Sequence, residues 1–411
     1  MIQFSKIFRR GGGGNAAAPS DLFDVYHAPT MEAVGDRSGQ SLGDWGADSA
    51  DEIATAPRLI LGLLRTRRDL RRRFPRAVAD DDAGFREWVI AHGQRELKLT
   101  PPQLANVAVV FVDDPAGPVR EFFLHTPELQ WRYPLGLLPV GQKRFVKWLV
   151  GKGRDQHDFS DEQILWFLHA TAEDLPRYIA LTYRIAPEWQ ERFPEWSPEG
   201  KELLRWLCAQ FPKYRPLRKI DSLGQSETAA PSITEGVNIL SHFCYSSGIQ
   251  EAAVQAKGAL ESVGFAIACR DVPAGVRTAL AAREDWLDFE RFPITLTNVA
   301  PEPHFPVRYR RAGLAPRIDA RQIAYWAWEL ETIPDEWPAL AEGLAEIWTP
   351  TPFVAEAMRR KMHVPVYDIL PGVSLGKVEA VPRSELAIAP DEFVFFFMFD
   401  MCSDFRRKNP L

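Results

Sequence analysis

Apolar and polar positions divide the chain into two parts with different periods. From about Ala56 onward, Leu59, Ile60, Leu63, Leu64 and Leu70 fall roughly on one face of a helix. Arg65, Arg67, Arg68, Arg71, Arg72 and Arg73 fall on the opposite face. That basic face reads either as solvated surface or as a surface for anionic lipid or a lipid-linked phosphate. An internal repeat follows. Phe85-Arg86-Glu87-Trp88 is echoed by Phe145-Val146-Lys147-Trp148 and by Leu203-Leu204-Arg205-Trp206, with the tryptophans 60 and 58 residues apart. Arg73-Phe74-Pro75 precedes the first copy, Trp131-Arg132-Tyr133-Pro134 the second and Arg192-Phe193-Pro194 the third. Each unit therefore predicts a helix, a Pro-containing turn and an amphipathic helix whose Trp packs between units. Residues 51–220 form a helical module of three related units with no visible catalytic constellation. Residues 213–235 read as a linker.

From Gly236 the period changes. Val237–Phe243 is a short, largely apolar run, as a strand buried on both faces requires. Ser246-Ser247-Gly248 makes a turn, and Glu251–Val263 reads as a helix ended by Gly264. Further strands are predicted at Phe265–Cys269, Ile294–Val299, Ile323–Leu330, Glu346–Trp348 and Val364–Ile369. Thr351 caps a helix that has Pro352 at its first position and runs to about Met362. Strand–helix alternation over residues 236–373 implies a doubly wound parallel sheet, an α/β Rossmann-like domain. A second linker follows Pro371-Gly372-Val373, and Glu392–Asp400 has the pattern of another buried strand. Residues 388–411 thus read as the first strand and turn of a further domain.

Composition narrows the class. The 411 residues suit two or three domains. A net charge of −6 argues against a general nucleic-acid binder, which presents a basic face. Cys208, Cys244, Cys269 and Cys402 lie far apart with no paired spacing, which predicts a reduced, cytoplasmic protein with neither a disulfide frame nor a metal site. Residues 1–50, with a glycine run at 11–14, read as a flexible leader. Met1–Arg10 puts its charges after its apolar residues, the reverse of a secretory signal. It reads as a tail, with a short anchor at the inner face of the membrane as the alternative. The longest apolar run, Phe393–Phe399, has seven residues, where a spanning helix needs about 20.

Several segments of residues 236–411 together resemble bacterial family 4 glycosyltransferases of the GT-B fold. They are Gly236-Val237-Asn238 leading to Gly248-Ile249-Gln250-Glu251, Tyr325–Leu330 followed by Pro334-Asp335-Glu336-Trp337, Glu346–Val354, and Phe399-Asp400 with Ser403-Asp404 and Arg407-Lys408-Asn409-Pro410. The resemblance implies two Rossmann-like halves, an N-terminal one for the acceptor and a C-terminal one for the nucleotide-sugar donor. It implies hexose transfer to a glycan or lipid-linked acceptor, with retention and without a required metal or cofactor, in bacterial surface polysaccharide synthesis. By that resemblance Lys408, Arg407 and Ser403 contact the donor diphosphate, where basic groups stabilise a leaving phosphate.

Gly248 and Glu251 would form the cleft loop. Glycine lets backbone approach a ligand, and the helix that follows points its N-terminus at the cleft. Glu329, beside Trp326 and Trp328, would orient acceptor hydroxyls, with the aromatic rings against sugar faces. The plainer readings are a simple turn at Gly248, a surface Glu329 with core tryptophans, and a solvated basic turn at Arg407-Lys408. The sequence departs from the family at Gln250, where a second Gly is common, and at Cys402, where an Arg is usual. The later pair of donor-binding glutamates is not in these 411 residues, so this chain alone is expected to be an inactive fragment. The alternative function is a non-catalytic glycan- or protein-binding module. A dinucleotide-dependent dehydrogenase is disfavoured because Gly248-Ile249-Gln250 does not supply the Gly-x-Gly-x-x-Gly turn.

Overall fold

The computed structural model describes residues 56–78, 84–110, 114–194, 200–220, 235–275, 282–372 and 381–396. The expected leader, residues 1–50, and the segment 397–411 with Ser403, Arg407 and Lys408 lie outside the described residues.

Three helical stretches share one layout, with one more joint than the sequence suggested. Unit one runs α1 (Ala56–Thr66), Arg67, α2 (Arg68–Arg73), Phe74 and α3 (Phe85–Glu96), followed by α4 (Pro101–Val110). Unit two runs α5 (Gly117–His125), Thr126, α6 (Pro127–Arg132), Tyr133 and α7 (Lys143–Trp148). Next comes α8 (Asp161–Glu173). Unit three runs α9 (Leu175–Ile185), Ala186, α10 (Pro187–Arg192), Phe193 and α11 (Lys201–Gln210). A single non-helical residue breaks each first helix, at φ/ψ of −100/84° for Arg67, −117/86° for Thr126 and −113/91° for Ala186. Pro127 and Pro187 cause the break in units two and three, because the residue before proline is pushed out of the helical region. Arg68 takes that place in unit one, and nothing in the structure explains the break there.

Each six-residue helix ends on an aromatic whose N–H bonds back to Leu70, Leu129 or Trp189 at 2.7–2.8 Å. That ring meets the unit's tryptophan: Phe74–Trp88 at 5.7 Å, Tyr133–Trp148 at 6.2 Å and Phe193–Trp206 at 5.7 Å between centroids. The preceding Arg lies over the aromatic, at 5.1 Å for Arg73, 5.5 Å for Arg132 and 5.6 Å for Arg192. The tryptophans thus pack within their own units rather than between units as expected, with Trp88 buried and Trp148 and Trp206 half-buried. Gln130 and Gln190 repeat too, each donating from Nε2 to carbonyls at the end of the helix before it. At the centre of the module α8 is capped by reciprocal Ser160 and Gln163 bonds, and every side chain from Ile164 to Thr171 is buried.

The stacked arginines contribute little. Arg192 is exposed and sits 5.0 Å from the Trp206 ring. Replacing it by Met should cost about 0.5–1 kcal/mol. Trp206→Ala should cost about 2 kcal/mol, since it removes a half-buried ring packed against Trp189 and Phe193. Thermal melts of the two variants check this ordering, and equal losses would refute it.

The second part is an α/β layer. Six strands form one sheet: β1 (Gly236–Ser241), β2 (Ala266–Asp271), β3 (Ile294–Asn298), β4 (Arg321–Tyr325), β5 (Glu346–Thr349) and β6 (Val366–Asp368). All neighbours are parallel, in the order β2-β1-β3-β4-β5-β6. This is the parallel Rossmann-like arrangement that the strand–helix alternation implies. All six residues of β1 are buried, as expected of a central parallel strand. Val237 and Ile239 pack with Ala253 of α12 (Gly248–Ser262) on one face. Leu240 packs with Val272, Val299 and Tyr309 on the other. Gly236 has to be glycine, because a Cβ there would lie 2.4 Å from the Phe292 ring. Further on, α13 (Trp337–Leu340) leads to β5, and α14 (Pro352–Arg359) carries the expected Thr351 cap, whose Oγ1 accepts from Val354 N at 3.3 Å.

Two expectations need correction. The fourth strand stops at Tyr325 rather than running to Leu330. Trp326 N still donates to Trp348 O of β5 at 2.8 Å, its ring packs on Trp337 at 5.5 Å, and Trp328 on the following loop meets the same ring at 4.8 Å. Residues 392–396 form no strand among the described residues, and Phe393, Phe395 and Phe396 are exposed. A strand needs a paired neighbour, and the described part of residues 373–411, a compact unit of its own, consists of turns and extended chain. No helix among the described residues is long and apolar enough to cross a membrane.

The described residues of the helical module and of the sheet share one compact unit. Arg270, at the end of β2, is fully buried and donates to Ala312 O at 2.7 and 2.9 Å, Leu287 O at 3.0 Å and Gly313 O at 3.1 Å. It also donates to Arg184 O in α9. Gly313 sits at φ +72°, and a Cβ there would lie 2.9 Å from the Ile185 backbone. Glycine therefore permits both the turn and the close approach of α9.

Candidate functional site

Ligands of open parallel sheets bind at the carboxyl ends of the strands, where neighbouring connections diverge. In the order β2-β1-β3 that divergence lies between β1 and β3. The local sequence builds the edge there. Ser241 ends β1 and donates to Asn298 O at 2.8 Å, and Asn298, ending β3, donates from Nδ2 to Ile249 O at 3.1 Å. The turn 242–247 then delivers α12. Ser247 caps it by accepting from Gln250 N at 3.2 Å, and Gln250 Nε2 donates to Phe243 O at 2.6 Å. Gln250, the departure from the family loop, therefore braces the turn. Gly248 opens the helix with nothing within 4 Å of a Cβ placed there. The 15-residue helix presents its positive end at this point.

The other sequence-predicted residues are placed as follows. Glu251 lies in the first turn of α12, exposed, with Oε1 accepting from Gln255 Nε2 at 2.6 Å. Glu329 lies on the loop after β4, also exposed, rather than on the strand. Trp326 is fully buried, and the half-buried Trp328 donates from Nε1 to Thr332 O at 2.8 Å, so both belong to an aromatic cluster with Trp337. Gly248 and Glu251 thus share one helical turn, while Glu329 follows a strand two places along the sheet.

On the β2 side the edge is filled by a network that the sequence did not announce. Asp271 ends β2 and is buried. Its Oδ1 accepts from Cys244 N at 3.1 Å, and its Oδ2 accepts from Arg283 Nε at 3.0 Å. Arg283, fully buried, also donates to Asp271 O at 3.1 Å, Ala312 O at 3.2 Å and Leu124 O of α5. Its own N–H donates to Glu121 Oε2 at 2.7 Å. The chain of charges continues through Arg120, which pairs with Asp114 at 2.7 Å and Glu284 at 3.3 Å, and through Arg177, which holds Glu284 with two bonds of 2.8 and 2.6 Å.

Burial raises the Glu121 carboxyl above the usual carboxylate range against the opposing charge of Arg120. Burial, reinforced by the Asp271 charge, pushes the Cys244 thiol well up, so the sulfur carries its proton at neutral pH. His242 places Nδ1 at 2.5 Å from Val272 O and so donates from it, and burial lowers its pKa. The donor atoms of His125, Cys244 and Asp271 all lie within 4.8 Å of one another. Sequence reading missed this group because its members come from α5, the β1 turn and β2, and no local spacing joins them.

Compared with models of known protein families, with curated proteins and with solved structures, the chain finds no match.

Proposed function

We propose that residues 236–372 are the acceptor-side half of a GT-B-type glycosyltransferase that moves a hexose from a nucleotide sugar to a glycan or lipid-linked acceptor. The observation that carries this reading is the β1/β3 divergence of a parallel sheet. It opens onto the capped N-terminus of α12, with free space beside Gly248. Backbone amides at such an end favour an anionic group. In this reading Gly248 admits the ligand to the helix end, and Glu329 orients an acceptor hydroxyl. Lys408, Arg407 and Ser403 hold the donor diphosphate, whose charge they neutralise without a metal. Donor and acceptor chemistry rest on the sequence resemblance. The module contacts the membrane face through its acceptor, if that acceptor is lipid-linked.

A second reading has its own support. The carboxyl end of β2 is occupied by Arg270, Arg283 and Asp271, all buried and all bonded within the protein. A site filled in this way suits a rigid, non-catalytic glycan- or protein-binding module.

Calorimetric titration of the full chain with a panel of uridine- and guanosine-diphosphate hexoses separates the readings. The transferase reading expects one of them to bind. It also expects Lys408→Ala to weaken that binding by about 10- to 100-fold, the value of a charge-assisted bond to phosphate. No response to any nucleotide sugar or glycan, or nucleotide-sugar binding that Lys408→Ala leaves unchanged, would overturn it.

A further inference from the structure

We infer that His125, Cys244 and Asp271 form a metal site, selective for zinc-like cations, that staples the helical repeat module to the carboxyl edge of the sheet. The three donors are an imidazole nitrogen, a sulfur and a carboxylate oxygen, which is the mixed set that zinc takes. They come from three separate elements. His125 ends α5, Cys244 lies on the turn after β1, and Asp271 ends β2. Cys244 and Asp271 are buried and His125 is half-buried. Their donor atoms lie within 4.8 Å of one another. Zinc bonds of about 2.0–2.3 Å set tetrahedral ligand separations somewhat shorter than that, so modest side-chain rotation closes the shell.

The surroundings supply what a metal ligand set needs. Arg283 holds Asp271 Oδ2 at 3.0 Å, fixing the carboxylate and leaving Oδ1 turned toward the Cys244 side. That is the orienting role that outer-shell partners play around metal ligands. Glu121, one turn before His125 on α5, has Oε2 at 3.8 Å from His125 Nε2. Glu121 or a water molecule completes the fourth position. On binding, one zinc–sulfur bond forms and the Cys244 S–H bond breaks, with that proton released to solvent. Its three donors need no nucleotide sugar, so the site does not depend on that chemistry, although it ties α5 to the turn that leads into α12.

The experiment uses the full chain, stripped with chelator, dialysed and titrated with Co2+ and then Zn2+. The expected result is one Co2+ per chain with a thiolate-to-cobalt charge-transfer band that zinc displaces. Cys244→Ser should abolish the band and weaken zinc binding by more than about 100-fold, beyond what loss of an outer-shell partner costs. Zinc should raise the melting temperature of the wild-type chain and leave that of Cys244→Ser unchanged. His125→Gln is the second variant, and it decides the matter if Cys244→Ser does not fold. Absence of the band, a band that survives Cys244→Ser, or a band lost instead on replacing Cys208 or Cys269 would overturn the proposal. So would unchanged zinc affinity in a folded His125→Gln.

Discussion

Arg283→Met is expected to destabilise the chain by about 3–5 kcal/mol, the range found when one partner of a buried ion pair is removed. The side chain is fully buried and its partner Asp271 is 1% exposed. The substitution fills most of the volume but leaves the Asp271 carboxylate without its charge partner. It also strips Leu124 O and Ala312 O of a donor. Arg283→Lys should recover only part of the loss, because one ammonium cannot reproduce a planar fork serving Asp271 and several carbonyls at once. Asp271→Asn should also destabilise. The double variant Arg283→Met/Asp271→Asn should lose less than the sum of the single losses, since neither charge is then stranded. Guanidinium unfolding followed by tryptophan fluorescence measures all four. Hydrogen exchange adds the location, with protection lost at the end of α5 and at the β1 turn together. A loss below about 1 kcal/mol for Arg283→Met, or full additivity in the cycle, would show that the pair does not join the two parts of the molecule.

The six strands were legible because a parallel strand covered on both faces reads as a short, largely apolar run, as β1 does. The end of β4 was not. Tyr325-Trp326-Ala327-Trp328 has the composition of a strand, yet the strand ends at Tyr325, where the rings of Trp326 and Trp328 pack on Trp337 further along the chain. Tertiary packing overrode a local pattern there. The repeat was visible through Trp88, Trp148 and Trp206, whose spacing survives while most other positions vary. The breaks at Thr126 and Ala186 were not read, although Pro127 and Pro187 follow them directly.

At the candidate site the turn from β1 into α12 was readable from Ser247 and Gly248, while the network beside it was not. Arg270 and Arg283 look like surface residues in sequence, and only the approach of α5 and α9 turns them into buried clamps. Their partners are largely backbone carbonyls, which carry no sequence signature at all. The same holds for His125, Cys244 and Asp271, which meet only after the helical module has docked.

Stability should fall with pH between about 6.5 and 4 through one histidine. His304 is buried at the start of the connection from β3 to β4. Its Nδ1 accepts from Arg308 Nη1 at 2.7 Å, so the ring hydrogen is on Nε2, which donates to Gln322 Oε1 at 3.0 Å. Gln322 Nε2 donates to Tyr309 Oη at 2.7 Å, and Tyr309 donates to Glu290 Oε1 at 2.7 Å. The chain of donors runs one way from Arg308 to Glu290. A second proton on His304 would set donor against donor beside a guanidinium.

Burial, followed by the Arg308 charge, accordingly lowers His304 from 6.5 to about 4. Because the folded pKa is the lower one, the unfolded chain takes up a proton first as pH falls. The stabilising contribution is complete above pH 6.5, declines through the window and is gone below about 4. A shift of this size corresponds to about 3 kcal/mol. Glu290 acts in the opposite direction, since burial raises its pKa and favours its protonated form in the fold. Glu302 and Arg311 also face Arg308, and Arg317 lies near Glu290, so the absolute pH profile sums several groups. Comparison with His304→Gln, in which those groups remain, isolates the histidine. Urea unfolding at pH 7.5, 6.5, 5.5 and 4.5 should show the wild-type advantage over His304→Gln shrinking by about 2.5 kcal/mol from the first pH to the last. A difference between the two that stays constant across the series would mean that His304 does not titrate in this window in the native state.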